Sequence, residues 1–71
     1  MADFHVGDQV SWEWGNGKGE GKITERFESD VSRTISGNEV KREASQDNPA
    51  FLIKQDDGQE VLKSGSELKK N

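Results

Sequence analysis

The stretch NPAFLIKQDDGQEVL, residues 48–62, decides the fold because it holds the densest apolar segment of the chain beside a turn signal. Phe-Leu-Ile at residues 51–53 is followed by Asp-Asp-Gly at 56–58 and by Val-Leu at 61–62. Two apolar runs separated by an Asp-Gly turn are typical of a β-hairpin. The stretch therefore predicts two antiparallel strands in the second half of the chain.

Two registers are possible for this hairpin, and side-chain chemistry distinguishes them. A two-residue turn at residues 57–58 sets Lys54 opposite Val61, which mixes polar and apolar side chains on each face. A three-residue loop with Gly58 in the left-handed conformation sets Ile53 opposite Val61 and continues the apolar pairing along the strands. We choose the three-residue loop because it keeps apolar side chains together.

Composition limits what the chain can be. Its 71 residues allow one domain, residues 1–71, and leave no room for a second domain core. With 28% hydrophobic and 34% charged residues, the core must be thin and the stability marginal. The chain has no cysteine, so disulfides and thiolate zinc sites are excluded. A net charge of -4 and a pI near 4.9 disfavour non-specific binding of nucleic acid.

The sequence also predicts where the protein works. No apolar run approaches the roughly 18 residues that a membrane helix needs. The first residues do not resemble a signal peptide. We therefore expect a soluble, cytoplasmic protein that does not contact membranes, and we expect it to be a monomer.

The first half of the chain contains further strand signals. Residues 9–14 alternate apolar and polar side chains, with Trp12 expected in the core and Trp14 at the rim. The glycine-rich residues 15–21 lack the Gly-Lys-Ser/Thr sequence of a phosphate-binding loop, so we expect a flexible hairpin connection. Residues 22–28 are predicted to form the next strand.

The later strands are less well defined. Simple alternation places Ile23, Glu25 and Phe27 on one face, and the glutamate suggests that this face is only partly covered. A turn is predicted at residues 36–39. Two short strands, whose register stays open, are predicted on either side of it at residues 31–35 and 40–44.

Five short strands with turn signals between them, and no long amphipathic helix, favour a small closed barrel. A closed barrel also removes the unpaired edges through which small sheets aggregate. A helical turn at residues 66–68, with Ser66 as a candidate cap, would place Leu68 over the open end of the barrel. The predicted fold is all-β: a five-stranded antiparallel barrel with a short helical turn near the C-terminus.

The opening residues 4–12, FHVGDQVSW, are similar to the start of the hypervirulence-associated TUDOR-domain family. The similarity continues in order through residues 19–23, 35–40, 44–53, 57–58 and 68–70. The resemblance implies an SH3-like barrel of the Tudor type, and it implies no catalytic residue or cofactor. The chain departs from the family pattern at Phe51, where tyrosine is common, and at residues 62–64, where His-Lys-Pro is common.

The resemblance also suggests an aromatic cage for methylated lysine or arginine, which acts through cation–π attraction. The aromatic side chains available for it are Phe4, Trp12, Trp14, Phe27 and Phe51. Because the core requires at least Trp12 and Phe51, we do not expect a complete cage.

Catalysis is poorly supported. His5 is the only histidine, and a solvated side chain near the start of the chain is not held between a nucleophile and a carboxylate. The aspartates at 47, 56 and 57 are turn residues without the spacing of a calcium loop. We therefore expect no enzyme, no metal site and no cofactor.

The leading hypothesis is a small adaptor that binds a protein or peptide segment across the rim of the barrel. The predicted partner-binding residues are Trp14, Lys18, Lys22, Arg42 and Lys63. The alternative is a nucleic-acid-binding SH3-like barrel, which would gather basic residues on one face. Its candidates are Arg33, Lys41, Arg42, Lys63, Lys69 and Lys70, together with Lys18 and Lys22 near Trp14, but acidic residues are interspersed among them.

Overall fold

The computed structural model describes residues 4–35 and 37–70, apart from the side chain of Trp14. In that part of the chain, seven strands and one short 3-10 helix form. The strands are β1 (Gln9–Trp14), β2 (Gly17–Phe27), β3 (Val31–Ile35), β4 (Asn38–Arg42), β5 (Ala50–Lys54), β6 (Glu60–Ser64) and β7 (Lys69–Lys70). The 3-10 helix, Gly65–Glu67, lies between β6 and β7. Within the described ranges, no helix is long and apolar enough to cross a membrane.

The strands are arranged in two antiparallel sheets. Five of them form one sheet in the order β6-β5-β2-β1-β7, and β3 pairs with β4 in a two-stranded sheet. Both β3 and β4 pack against β6. The all-β prediction is confirmed. Seven strands are present rather than five, and the ladders of the described residues do not close into a barrel.

The β5–β6 hairpin has the predicted register. Ile53 lies opposite Val61, and Leu52 lies opposite Leu62. Gly58 lies in the three-residue loop with a φ of 90°. The choice of the three-residue loop is confirmed, because it is this loop that sets apolar side chains opposite one another on both faces of the hairpin.

Replacing Gly58 by valine is expected to lower the free energy of unfolding by about 1 kcal/mol. A Cβ atom at this position would meet nothing within 4 Å, so the cost comes from the positive φ alone. Gly58→Asn is the matched control, since asparagine tolerates the left-handed conformation better than a β-branched residue. Urea denaturation measures both variants. Equal losses for valine and asparagine would contradict this account of the turn.

The glycine-rich segment is mostly strand, so its prediction as a flexible connection is wrong. Only Gly15 and Asn16 separate β1 from β2, and Trp14 pairs directly with Gly17. A Cβ atom at Gly21 would lie 2.6 Å from the Ile53 side chain. This glycine therefore serves close packing inside the sheet rather than flexibility.

A β-bulge changes which side chains of β2 share a face. The pairing with β5 shifts between Ile23 and Glu25, which leaves Thr24 as the extra residue. The Thr24 hydroxyl donates a hydrogen bond to the Leu52 carbonyl, at 3.2 Å. Past the bulge the alternation is offset, so Ile23 belongs to one core and Phe27 to the other. The prediction that these two residues share a face is wrong.

Three smaller differences concern the ends of elements. β4 begins at Asn38 rather than at residue 40, and Ser36 of the predicted turn lies outside the described residues. The helical turn begins at Gly65, and Ser66 lies inside it instead of capping it. The Ser66 N–H donates to Asn48 Oδ1, at 3.2 Å. Leu68 is buried as predicted, and the two residues after it pair with β1 as the short strand β7.

Two apolar cores lie on opposite faces of β5. The first contains Val10, Trp12, Ile23, Phe51, Ile53 and Leu68, with Phe4 and Val61 packed against it. The second contains Ala50, Leu52 and Leu62, with Phe27, Val31, Ile35, Val40 and Ala44 packed against it. The prediction that Trp12 anchors a core is confirmed, since its side chain is 3% exposed.

Candidate functional site

A groove of about 630 Å³ lies between the β1–β2 hairpin and the tip of the β5–β6 hairpin. We call it the hairpin groove. Its apolar lining comes from Trp12, Val61 and the bare backbone of Gly19. Its polar lining comes from Lys18, Glu20, Gln55, Asp56, Asp57, Gln59 and Lys63. The groove therefore combines an apolar contact area with charged groups of both signs.

The groove exists because β2 is longer than the strand beside it. The β2–β5 ladder begins at the pair Lys22–Lys54, although β2 itself starts at Gly17. After Lys54 the chain turns through residues 56–58 into β6. The first residues of β2 thus have β1 on one side and the open groove on the other.

A glycine allows the indole of Trp12 to border the groove. Trp12 and Gly19 are paired across β1 and β2. A Cβ atom at Gly19 would lie 2.5 Å from the Cε2 and Cζ2 atoms of the indole ring. No side chain could occupy that position without moving the ring, so the indole lies directly against the β2 backbone.

The charged side chains of the groove differ in their ion pairs and hydrogen bonds. Lys63 Nζ lies 3.6 Å from Glu67 Oε2, which balances its charge. Asp57 Oδ1 accepts a hydrogen bond from the Gln59 N–H at 3.0 Å, as turn aspartates do. Asp56 beside it has no ion pair with any residue that the structure describes. The tip of the β5–β6 hairpin therefore presents negative charge to the groove.

The structure brings together two of the five predicted partner-binding residues. Lys18 and Lys63 both line the hairpin groove. Lys22 does not line the groove, and it lies opposite Lys54, a like charge, in the β2–β5 ladder. Trp14 ends β1, but its side chain lies outside the described part of the structure. Its predicted role as a rim contact stays a prediction.

Arg42, the fifth predicted residue, lies on β4 away from the groove. Its Nε atom is 3.7 Å from Glu67 Oε1, and the same carboxylate forms an ion pair with Lys63. The Nε atom is buried and has no hydrogen-bond partner in the described structure. Arg42 and Lys63 thus converge on one carboxylate of the 3-10 helix, where they link the small sheet to the large one.

The aromatic side chains are spread over the two cores. Phe4 packs edge-on against the buried Phe51, with ring centroids 5.7 Å apart. Phe27 lies in the second core, and the Arg33 guanidinium covers its ring at 4.8 Å. Trp12 packs in the first core. Among these four rings, two core clusters form rather than one cage.

The residues first considered for catalysis lie in turns. His5 is exposed, and its backbone N–H donates to Asp8 Oδ2 at 2.9 Å. No group of three or more His, Cys, Asp or Glu residues placed to hold a metal ion occurs among residues 4–35 and 37–70. His5 thus serves the first turn of the chain.

Sequence reasoning missed most of the groove. It treated Gly19 as loop and Asp56 as turn chemistry, and it placed Val61 only in a hairpin face. These residues meet because two hairpin tips lie at the same end of the sheet, which no local pattern reveals.

Comparison with known proteins gives a family match. The sequence model of the family described as "Hypervirulence associated proteins TUDOR domain" matches residues 7–68. Searches of curated proteins and of solved structures give no match. The matched range contains β1 to β6 and the 3-10 helix, and therefore both cores and the hairpin groove. The chain belongs to the TUDOR-domain family of hypervirulence-associated proteins.

Proposed function

We propose that the protein is a small, non-enzymatic binding module that holds a segment of a partner protein in the hairpin groove. The observation that carries the proposal is the groove itself, where the Trp12 indole and Val61 adjoin charged side chains. Sites for ligands combine concave apolar surface with a few polar groups that fix orientation.

The proposal also covers the type of domain, the oligomeric state and the cellular location. We assign residues 1–71 to one domain of the SH3-like Tudor type, active as a monomer in the cytoplasm. The family match and the two cores that share β5 support the domain assignment. A monomer is supported by the surface, because Val6 is the single large hydrophobic residue exposed among those described.

The arrangement of charges favours a protein partner over nucleic acid. Six of the eight basic residues considered for phosphate binding have a carboxylate within 4.0 Å; the six are Arg33, Lys41, Arg42, Lys63, Lys69 and Lys70. Neighbouring carboxylates lower the local positive potential on which binding to a phosphate backbone depends. We therefore do not propose a nucleic-acid interface.

A heptapeptide selected from a displayed random library tests the site. We expect the peptide to shift the NMR signals of the Trp12 indole, the Gly19 amide and the Val61 methyl groups. Val61→Ala should weaken its binding about tenfold through the lost apolar contact. Val6→Ala is the matched control, since Val6 is exposed and does not line the groove.

Two results would contradict the proposal. One is the absence of any library peptide that shifts the groove signals. The other is binding of single- or double-stranded oligonucleotides at low salt that weakens steeply as salt is added, which would indicate phosphate contacts.

A further inference from the structure

The first residues of β2 form an open sheet edge. On one side they pair with β1, from Gly17 opposite Trp14 onward. On the other side, the ladder with β5 begins only at Lys22. The hairpin groove lies along this edge, beside Lys18.

The backbone of Lys18 faces that open side. In a hairpin with a two-residue turn, the residues flanking the turn exchange both hydrogen bonds, and every second pair after them does the same. Trp14–Gly17 and Trp12–Gly19 are such pairs, so the N–H and C=O of Lys18 point away from β1. Residues 17, 19 and 23 of β2 should all direct their N–H groups toward β1. The Ile23 N–H does so, since it donates to the Asp8 carbonyl at 3.0 Å. No backbone group in the described part of the chain bonds Lys18 on its open side.

The side chains around this edge define what an added strand must carry. Successive side chains of a strand point to opposite faces. One set would meet the apolar lining, Trp12 and Val61. Another residue would reach Asp56 and Asp57 at the tip of the β5–β6 hairpin. Those carboxylates, on a chain with a net charge of -4, attract a basic residue.

We infer that the partner segment binds in an extended conformation and adds to β2 as a further strand beside Lys18. It places an apolar side chain against Trp12 and Val61, and a lysine or arginine next to Asp56 and Asp57. This inference rests on the proposed function and states the binding mode and the class of peptide. Main-chain hydrogen bonds supply affinity in such strand addition, and the side-chain contacts supply specificity.

Lys18→Pro is the variant that tests the binding mode. Proline removes the outward N–H of residue 18, and this N–H takes no part in the ladder with β1. Lys18→Gln is the matched control, because it removes the charge and keeps the N–H. With a peptide selected from the displayed heptapeptide library, we expect the proline variant to bind about tenfold more weakly than the glutamine variant, because both lack the charge and only the proline variant lacks the N–H. Urea denaturation verifies that both variants fold.

A change in the peptide provides the second measurement. N-methylation of the peptide bond beside the apolar residue removes a main-chain donor without altering any side chain. We expect this methylated peptide to lose at least tenfold in affinity for the wild-type protein. This measurement tests strand addition even if the proline variant is unfolded. Selected peptides should carry Lys or Arg and lack proline at their centre.

The outcomes separate the binding mode from the proposed function. Peptides that shift the groove signals, yet bind the proline variant and tolerate N-methylation, would overturn strand addition and leave the binding module standing. Selected peptides rich in Asp and Glu would overturn the assignment of a basic segment. The absence of any peptide that perturbs the groove would overturn both the mode and the function.

Discussion

Trp12→Ala is expected to leave the protein largely unfolded at room temperature. Removal of a buried tryptophan costs roughly 3–5 kcal/mol, and the side chain of Trp12 is 3% exposed within the first core. A domain of this length has a total stability of only about 5 kcal/mol. The loss is therefore comparable with the whole free energy of unfolding. Far-UV circular dichroism during urea denaturation measures it without relying on indole fluorescence.

Val6→Ala is the control for this experiment. Val6 is 63% exposed, so its truncation should change stability by less than about 0.5 kcal/mol. A Trp12→Ala protein that unfolds at the same urea concentration as the wild type would show that the indole does not anchor the core. The Trp12→Ala substitution also removes the indole that borders the hairpin groove.

Gly21→Ala is expected to destabilise the protein by about 1–3 kcal/mol. The added Cβ would lie 2.6 Å from Ile53 Cγ2 and 2.7 Å from the Lys54 carbonyl oxygen. The second contact is with backbone at the end of the β2–β5 ladder, so it cannot be relieved by a side-chain rotation. The midpoint of thermal or urea denaturation should fall accordingly.

Gly17→Ala, in the same strand, provides a sharp comparison. A Cβ there meets nothing within 4 Å, and the residue does not have a positive φ. Alanine at such a position restricts the unfolded chain and is expected to raise stability by up to about 1 kcal/mol. The two substitutions should therefore have opposite signs. Equal effects would mean that the glycines of β2 are present for flexibility, as the sequence alone suggested.

The sequence was sufficient for the β5–β6 hairpin because the deciding information is local. The two candidate registers differ in whether Val61 lies opposite the apolar Ile53 or the charged Lys54, a few residues away in the chain. Burial then selects between them without knowledge of the remaining chain. The same reasoning placed Trp12 in a core, since strict alternation over six residues defines one apolar face.

Local information failed where distant segments meet. Gly19 is required by an indole seven positions earlier, and Gly21 by a side chain more than thirty positions later. The bulge at Thr24 depends on the register between β2 and β5, which lie far apart in sequence. The spacing of glycines and of apolar residues does not show these long-range contacts. The glycine-rich part of β2 was therefore predicted as a loop.

The candidate site was predicted only in part for the same reason. Lys18 and Lys63 do line one groove, but the sequence could not show that Lys63 shares Glu67 with Arg42. Charged side chains were counted as free binding groups, whereas several are engaged with neighbouring carboxylates. The groove itself depends on the relative lengths of β2 and β5, which becomes visible only when the two strands are paired.

The position of β5 between the two cores has a consequence for how the molecule comes apart. Phe51 and Ile53 face one core, while Ala50 and Leu52 face the other. Unfolding of either core therefore exposes one face of β5 to solvent. Partial unfolding of one half is thereby coupled to the other half. The backbone amides of this strand should be the last to exchange with solvent deuterium, in a single all-or-none transition.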